Sequence, residues 1–195
     1  MPENASPWFV AVGASGGEGL SDIKALLAAL PPSIQAVILV VLHRPWDTPS
    51  NLRPVLERAC THPVLIAEEG ERFERGTVYI GEPDQHLTLA TRSLGELVDD
   101  PGSLHRNRTV DLLFRSVARY GRKRMIGVVL SGSLDDGSRG LAAIHEAGGL
   151  TMVITPDRQP YQGMPENAIG YGGPIDVIGD PQTIASAIIE AVARG

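Results

Sequence analysis

What this chain has little of narrows its function before any motif is considered. A single cysteine, Cys60, allows no internal disulfide and suits a reducing compartment, the cytoplasm. No apolar run approaches the ~20 residues of a membrane span, and Met1-Pro2-Glu3-Asn4 has neither the basic start nor the apolar core of a signal peptide. Neither membrane insertion nor export is expected. Cations are outnumbered, 17 Lys and Arg to 23 Asp and Glu, and a net charge of −6 argues against nucleic acid as a partner. No His or Cys pair stands at ligand spacing, so no metal is expected. The glycine-rich stretch near the start lacks the third glycine of a dinucleotide fingerprint, because Ser15 takes the second glycine's place counting from Gly13. No Lys-Ser/Thr follows to make a phosphate-cradling loop, so no cofactor is expected.

What is present is a chain of 195 residues, 43% apolar, enough for one domain with a real core, expected to span 1–195. Apolar runs at 8–13, 36–42, 64–66, 125–130, 150–154 and 175–178 read as strands; the longest, Ala36–Leu42, is apolar on both faces, as a central parallel strand must be. Helical spacing appears at 19–30, 50–60 (with an awkward Pro54), 110–118, 138–146, 165–170 and 181–193. Residues 77–81 and 86–90 flank Gly81-Glu82-Pro83-Asp84 and read as an antiparallel hairpin, with a third strand near 94–98. Strands alternating with helices predict an α/β fold: a three-layer, doubly wound, mostly parallel, Rossmann-like sheet with one antiparallel excursion.

The chemistry gathers where such a sheet binds ligands, beyond the carboxyl ends of its strands. Val12-Gly13-Ala14-Ser15-Gly16-Gly17-Glu18-Gly19 should be the first strand-to-helix turn, its four glycines supplying positive φ, its serine either a raised nucleophile or a helix cap. His43 ends the next strand, as a base or a hydrogen-bonded core residue. Asp135 and Asp136 follow the strand at 125–130, as an orienting carboxylate or an N-cap. Nucleophile, base and carboxylate on one rim are what a serine hydrolase needs. Their order, Ser15…His43…Asp136, differs from the Ser…Asp…His of α/β-hydrolases. Arg44 beside His43 fits a substrate carbonyl or carboxylate, or a rim ion pair. Met164 fits a pocket floor or ordinary packing. Arg106, Arg108, Arg115, Arg119, Arg122, Lys123 and Arg124, opposed only by Asp111, form a basic stretch, readable as a solvated face or as a dock for an acidic surface.

With these segments identified, the chain resembles the catalytic domain of CheB-type protein-glutamate methylesterases, from about residue 8 to 190. The resemblance rests on Gly13-Ala14-Ser15-Gly16-Gly17, Leu42-His43-Arg44-Pro45, Gly76-Thr77-Val78-Tyr79-Ile80, Pro83-Asp84-Gln85-His86-Leu87, Val110-Asp111-Leu112-Leu113-Phe114-Arg115-Ser116, Leu130-Ser131-Gly132-Ser133-Leu134-Asp135-Asp136-Gly137-Ser138 and Gly163-Met164-Pro165-Glu166-Asn167-Ala168, in that order. It implies Ser15 as nucleophile, His43 as general base and Asp136, which immediately precedes the motif's glycine, as the orienting carboxylate. Backbone N–H groups of Gly16 and Ser133 are the implied oxyanion donors. The implied reaction hydrolyses glutamate γ-methyl esters of chemotaxis receptors, releasing methanol, with glutamine deamidation as its amide counterpart. The alternative is a signalling or docking module without turnover; a hydrolase for small esters is a third reading. Members commonly carry an N-terminal receiver domain; the first strand begins near residue 8, so control by phosphorylation is expected either to need a separate response regulator as a partner beside the receptor or to be missing. Two departures stand out. Gly16-Gly17-Glu18-Gly19 replaces the usual end of the serine turn, with a first helix expected to start late. Ser133-Leu134 replaces the usual Met-Gly, and since leucine enters positive φ only at a cost, a different loop backbone is expected there.

Overall fold

Strict alternation along buried strands builds this molecule, which a computed structural model describes over residues 6–44, 50–90, 93–100, 107–120, 123–156 and 163–195. In chain order the elements are β1 (Trp8–Ser15), α1 (Gly16–Ala29), β2 (Ala36–His43), α2 (Leu52–Glu57), β3 (Val64–Ile66), β4 (Val78–Ile80), β5 (Gln85–Ala90), β6 (Leu94–Asp99), α3 (Thr109–Tyr120), β7 (Met125–Val129), α4 (Ser138–Glu146), β8 (Leu150–Ile154), α5 (Met164–Gly170), β9 (Val177–Gly179) and α6 (Pro181–Arg194). Seven strands form one sheet in the order β3-β4-β2-β1-β7-β8-β9, every pair parallel.

Successive side chains of a strand point to opposite faces, and both faces here are covered. Trp8, Val10, Val12 and Ala14 of β1, with Ala36, Ile38, Val40 and Leu42 of β2, pack with residues of α1, α2 and α6. Phe9 and Ala11, with Val37, Leu39 and Val41, pack with α3, α4, α5 and the β5–β6 pair. The result is the three-layer α/β arrangement expected from the sequence. β2 and β7 flank β1 on opposite sides, so the strand order reverses at β1, the kind of place where open α/β sheets bind ligands beyond the carboxyl ends of their strands.

Three expectations change. The hairpin is β5 with β6, paired Gln85↔Asp99 through Ala90↔Leu94. Residues 78–80 belong to the main sheet, between β3 and β2. Val78, Tyr79 and Ile80 are all buried, so this strand is apolar on both faces, whereas hairpin strands alternate. The first helix begins at Gly16, directly after the serine, rather than at 19. Of the four glycines in the serine turn, only Gly16 has positive φ, +71°. Gly13 lies within β1 and Gly19 within α1; a Cβ on Gly13 would collide with Val110 Cγ1, and one on Gly19 would lie 2.5 Å from Ser131 O. Those two are small because other backbone approaches them. Pro54 is tolerated because α2 starts at Leu52, which places it in the first turn, where its missing N–H costs nothing. Pro45, most of the polar loop expected at 99–107 and Arg122 lie outside the described residues. Among the described residues no helix is long and apolar enough to cross a membrane.

Candidate active site

Ser15 and His43 are the last residues of β1 and β2, and they are direct partners in the parallel register. Neighbouring strands lie about 4.8 Å apart, so the two side chains emerge side by side. Parity sends both to the α3–α4 side of the sheet: they continue the series Phe9, Ala11, Gly13 and Val37, Leu39, Val41. Ser15 is half-buried with extended backbone, φ −143° and ψ 142°, and its hydroxyl makes no cap bond to α1. The capping role open to a serine at this position is therefore not the one it plays. Its N–H donates to Ser131 O at 3.0 Å, tying the end of β1 to the loop after β7. Gly132 makes that junction possible, since a Cβ there would lie 2.7 Å from Ser15 Cβ and 2.5 Å from Met164 Sδ. The loop is held further by Ser131 N–H donating to Asp22 Oδ2 (3.1 Å), Met164 N–H donating to Gly132 O (2.8 Å) and the Asn167 amide donating to Leu134 O (2.8 Å).

Asp136 comes from the same loop and is 4% exposed. It does not cap its own helix, whose N-cap position is Gly137. Its carboxylate instead accepts from Val110 N–H and Asp111 N–H, both at 2.9 Å, in the first turn of α3. These are two of the donors that a helix start leaves unpaired. Val110 reaches this place because Gly13 and Gly137 leave room for its side chain. Burial pushes the Asp136 carboxyl up from 3.8 to about 6; the two backbone bonds pull it back, the charge of Asp111 raises it, and His43 lowers it. Thus His43 is close enough to act on Asp136 electrostatically while standing in register with Ser15.

Gly16 opens α1 as an exposed residue, and Ser133 is exposed opposite Gly163 in an isolated antiparallel bridge. Leu134 departs from expectation: it adopts φ +72° with its side chain 58% exposed. The loop therefore enters the left-handed region at a leucine, held there by Asn167. Met164, 1% exposed, is a core residue beneath Gly132.

A cleft of about 470 Å³ borders His43 on the β4 side, walled by the end of β2, residues 81–87, Asp99, Asp100 and Thr109. Its carboxylates are Glu82, Asp84, Asp99 and Asp100, the last 3.4 Å from His86 Nε2. Arg44 lines it too, but its guanidinium donates to Gly81 O (2.7 Å) and Leu42 O (3.3 Å), bracing β2 to the turn after β4. Desolvation lowers the basicity of Arg44, partly offset by Glu82. The basic stretch is not one surface. Arg108 pairs with Asp135 (3.1 Å) and Asp111 (3.6 Å), and Arg124 donates to Ser6 O and Gly195 O. Arg115 and Arg119 are exposed on α3, and Arg106 and Arg122 lie outside the described residues.

Sequence reasoning took Asp111 and Arg108 for parts of a charged helix surface. Asp111 is 4% exposed, with its Oδ1 accepting from Gly137 N–H (3.1 Å) and Gly140 N–H (2.7 Å). The available signal was an acidic residue in a first helical turn beside a stripe of core residues, a place where carboxylates serve helix termini.

Comparison with known proteins identifies the family and the fold. The family model described as CheB methylesterase matches residues 10–188. A protein-glutamate methylesterase/protein-glutamine glutaminase of Yersinia pestis bv. Antiqua is 37% identical over 100% of this chain and 56% of its own length. One of Pectobacterium atrosepticum is 34% identical over the same shares. The chain thus spans little more than half the length of these relatives. The CheB methylesterase catalytic domain of Thermotoga maritima superposes with a TM-score of 0.83 at 27% identity, covering 95% of this chain and 99% of that one.

Proposed function

The chain belongs to the CheB methylesterase family, and from that premise we propose that it hydrolyses glutamate γ-methyl esters on chemotaxis-type receptors through a Ser15–His43–Asp136 triad. Deamidation of glutamines is the same attack on an amide. The observation that carries the reading is the strand register: Ser15 and His43 are in-register partners, and His43 in turn acts on the buried carboxylate of Asp136.

In this mechanism His43 accepts the Ser15 proton as Oγ bonds to the ester carbonyl carbon, and the carbonyl electrons move onto oxygen. N–H groups of Gly16 and Ser133 receive that oxyanion, a contribution of about 10²–10³ in rate per donor. Collapse expels methanol, which takes its proton from the His43 imidazolium. Water then attacks the glutamyl ester of Ser15 with His43 again as base, and the serine leaves with the proton. Asp136 holds the imidazole in the required orientation and stabilises its charge, which it does when ionised, above about pH 6. A methylated receptor is the substrate partner. The single cysteine suits work in the cytoplasm.

Methanol release from methylated receptor tests the proposal. Ser15→Ala or His43→Ala should lower it by a factor on the order of 10⁴ or more. A fluorophosphonate probe should label the unmodified protein at Ser15; absence of labelling would return the fold to a docking role without turnover.

A further inference from the structure

The amino ends of α3 and α4 converge behind the site, and each carries a partial positive charge and unpaired N–H donors. Each helix end is served by a carboxylate from the other's segment. Asp136, just before α4, accepts from Val110 and Asp111 of α3; Asp111, in the first turn of α3, accepts from Gly137 and Gly140 at the start of α4. The close approach depends on Gly140, where a Cβ would stand 2.5 Å from Phe114 Cβ and 3.1 Å from Asp111 Cα. The exchange puts two buried carboxylates at one junction, and the guanidinium of Arg108 serves it: 3.6 Å from Asp111 Oδ2, 3.1 Å from Asp135 Oδ1.

We propose that Asp111 is a positioning residue for Asp136, clasping the two helix starts together, and that the Asp111–Arg108 pair sets the pH at which the site becomes active. The proposal rests on the triad reading above. Among the described residues, the charged groups facing Asp136 are His43 from β2, Asp111 from α3 and Arg108 from the segment before α3, with Asp135 as its neighbour in the loop. Asp111 opposes ionisation of Asp136, whereas Arg108, and His43 whenever it carries a proton, favour it. Slight desolvation works against Arg108's charge, but its bond to Asp135 and the charges of Asp135, Asp111 and Asp136 outweigh that and raise its basicity. The ionised site is thus a balance of neighbours with opposite sign.

Two substitutions separate this role from a purely structural one. Asp111→Asn keeps both helix bonds, since Gly137 and Gly140 donate to the same oxygen, Oδ1, and removes the charge. Arg108→Gln removes the cation. The readout is the rate of Ser15 labelling by a fluorophosphonate across pH 4.5 to 8, which needs no receptor. Asp111→Asn should move the acid limb to lower pH by about half a unit or more, roughly a threefold gain in relative rate on that limb. Arg108→Gln should move it to higher pH. Loss of structure alone would shift both the same way or neither, and either result overturns the proposal. Should Asp111→Asn fold poorly, Arg108→Gln, one-third exposed, decides by itself: an upward shift upholds the proposal and an unmoved limb overturns it. Asp136→Asn, run in parallel, tests the premise, because labelling within tenfold of the parent rate would remove the triad itself.

Discussion

Leu134 is the residue where this site departs most from ordinary backbone chemistry. A positive φ crowds its Cβ against the following carbonyl, a cost of roughly 1–2 kcal/mol for an L residue, and its side chain recovers little of this by burial, being 58% exposed. Strain of this kind persists where surrounding bonds over-determine it, and here Asn167 grips the Leu134 carbonyl while Met164 grips that of Gly132. Leu134→Asn, which tolerates the left-handed region, should raise stability by about 0.5–1 kcal/mol in urea unfolding. Leu134→Val, branched at Cβ, should lower it by about 1 kcal/mol or more. At this scale the sequence was legible in residue type and illegible in conformation. A leucine is a poor choice for positive φ, and only the tethers from α5, thirty residues on, explain why the loop takes that shape.

Among the elements, α3 does most to build the site, and it does so through a space in β1. Gly13 leaves a gap that Val110 fills, bringing the first turn of α3 to the end of the central strand with its N–H groups facing Asp136. Gly13→Ala forces a methyl into Val110 Cγ1 and to within 2.9 Å of Cγ2; overpacking of this kind costs about 1–3 kcal/mol. The variant should lose stability and also slow Ser15 labelling, and Gly13→Ala/Val110→Ala should recover part of the labelling rate. Recovery of stability without recovery of labelling would separate the helix position from the chemistry. The element boundaries were largely readable: 138–146 and 150–154 coincide with α4 and β8. Pairing was harder to read. A three-residue apolar strand such as β4 looks alike in a hairpin and in a parallel sheet, because what decides its partner is the Ile38↔Val78 register with a strand forty residues earlier.

For the whole molecule, the site is a cost to stability. Asp136 titrates at about 6 in the folded chain against 3.8 when free, so between these values the folded state binds the proton that the unfolded state has released. Stability from this group is complete below about pH 4 and falls as pH rises through about 6. At 1.36 kcal/mol per unit, about two units amount to roughly 3 kcal/mol at most. The stability difference between the parent and Asp136→Asn, which does not titrate there, should therefore move against the parent by up to that amount between pH 4 and pH 7. Urea unfolding across pH checks this, and a flat difference would place the carboxylate in a less buried setting.

The amino-acid sequence determined the α/β architecture, the family and the shared rim of Ser15 and His43, because apolar period and short motifs at strand ends are local properties that survive in a one-dimensional reading. It also brought Asp136 to the rim. Only the tertiary structure decided which helix Asp136 serves, that Asp111 answers it across the junction, that Arg44 braces backbone, and where the hairpin lies. Those outcomes depend on donors and charges contributed by segments distant in the chain, whose meeting is fixed by packing of helices on the sheet.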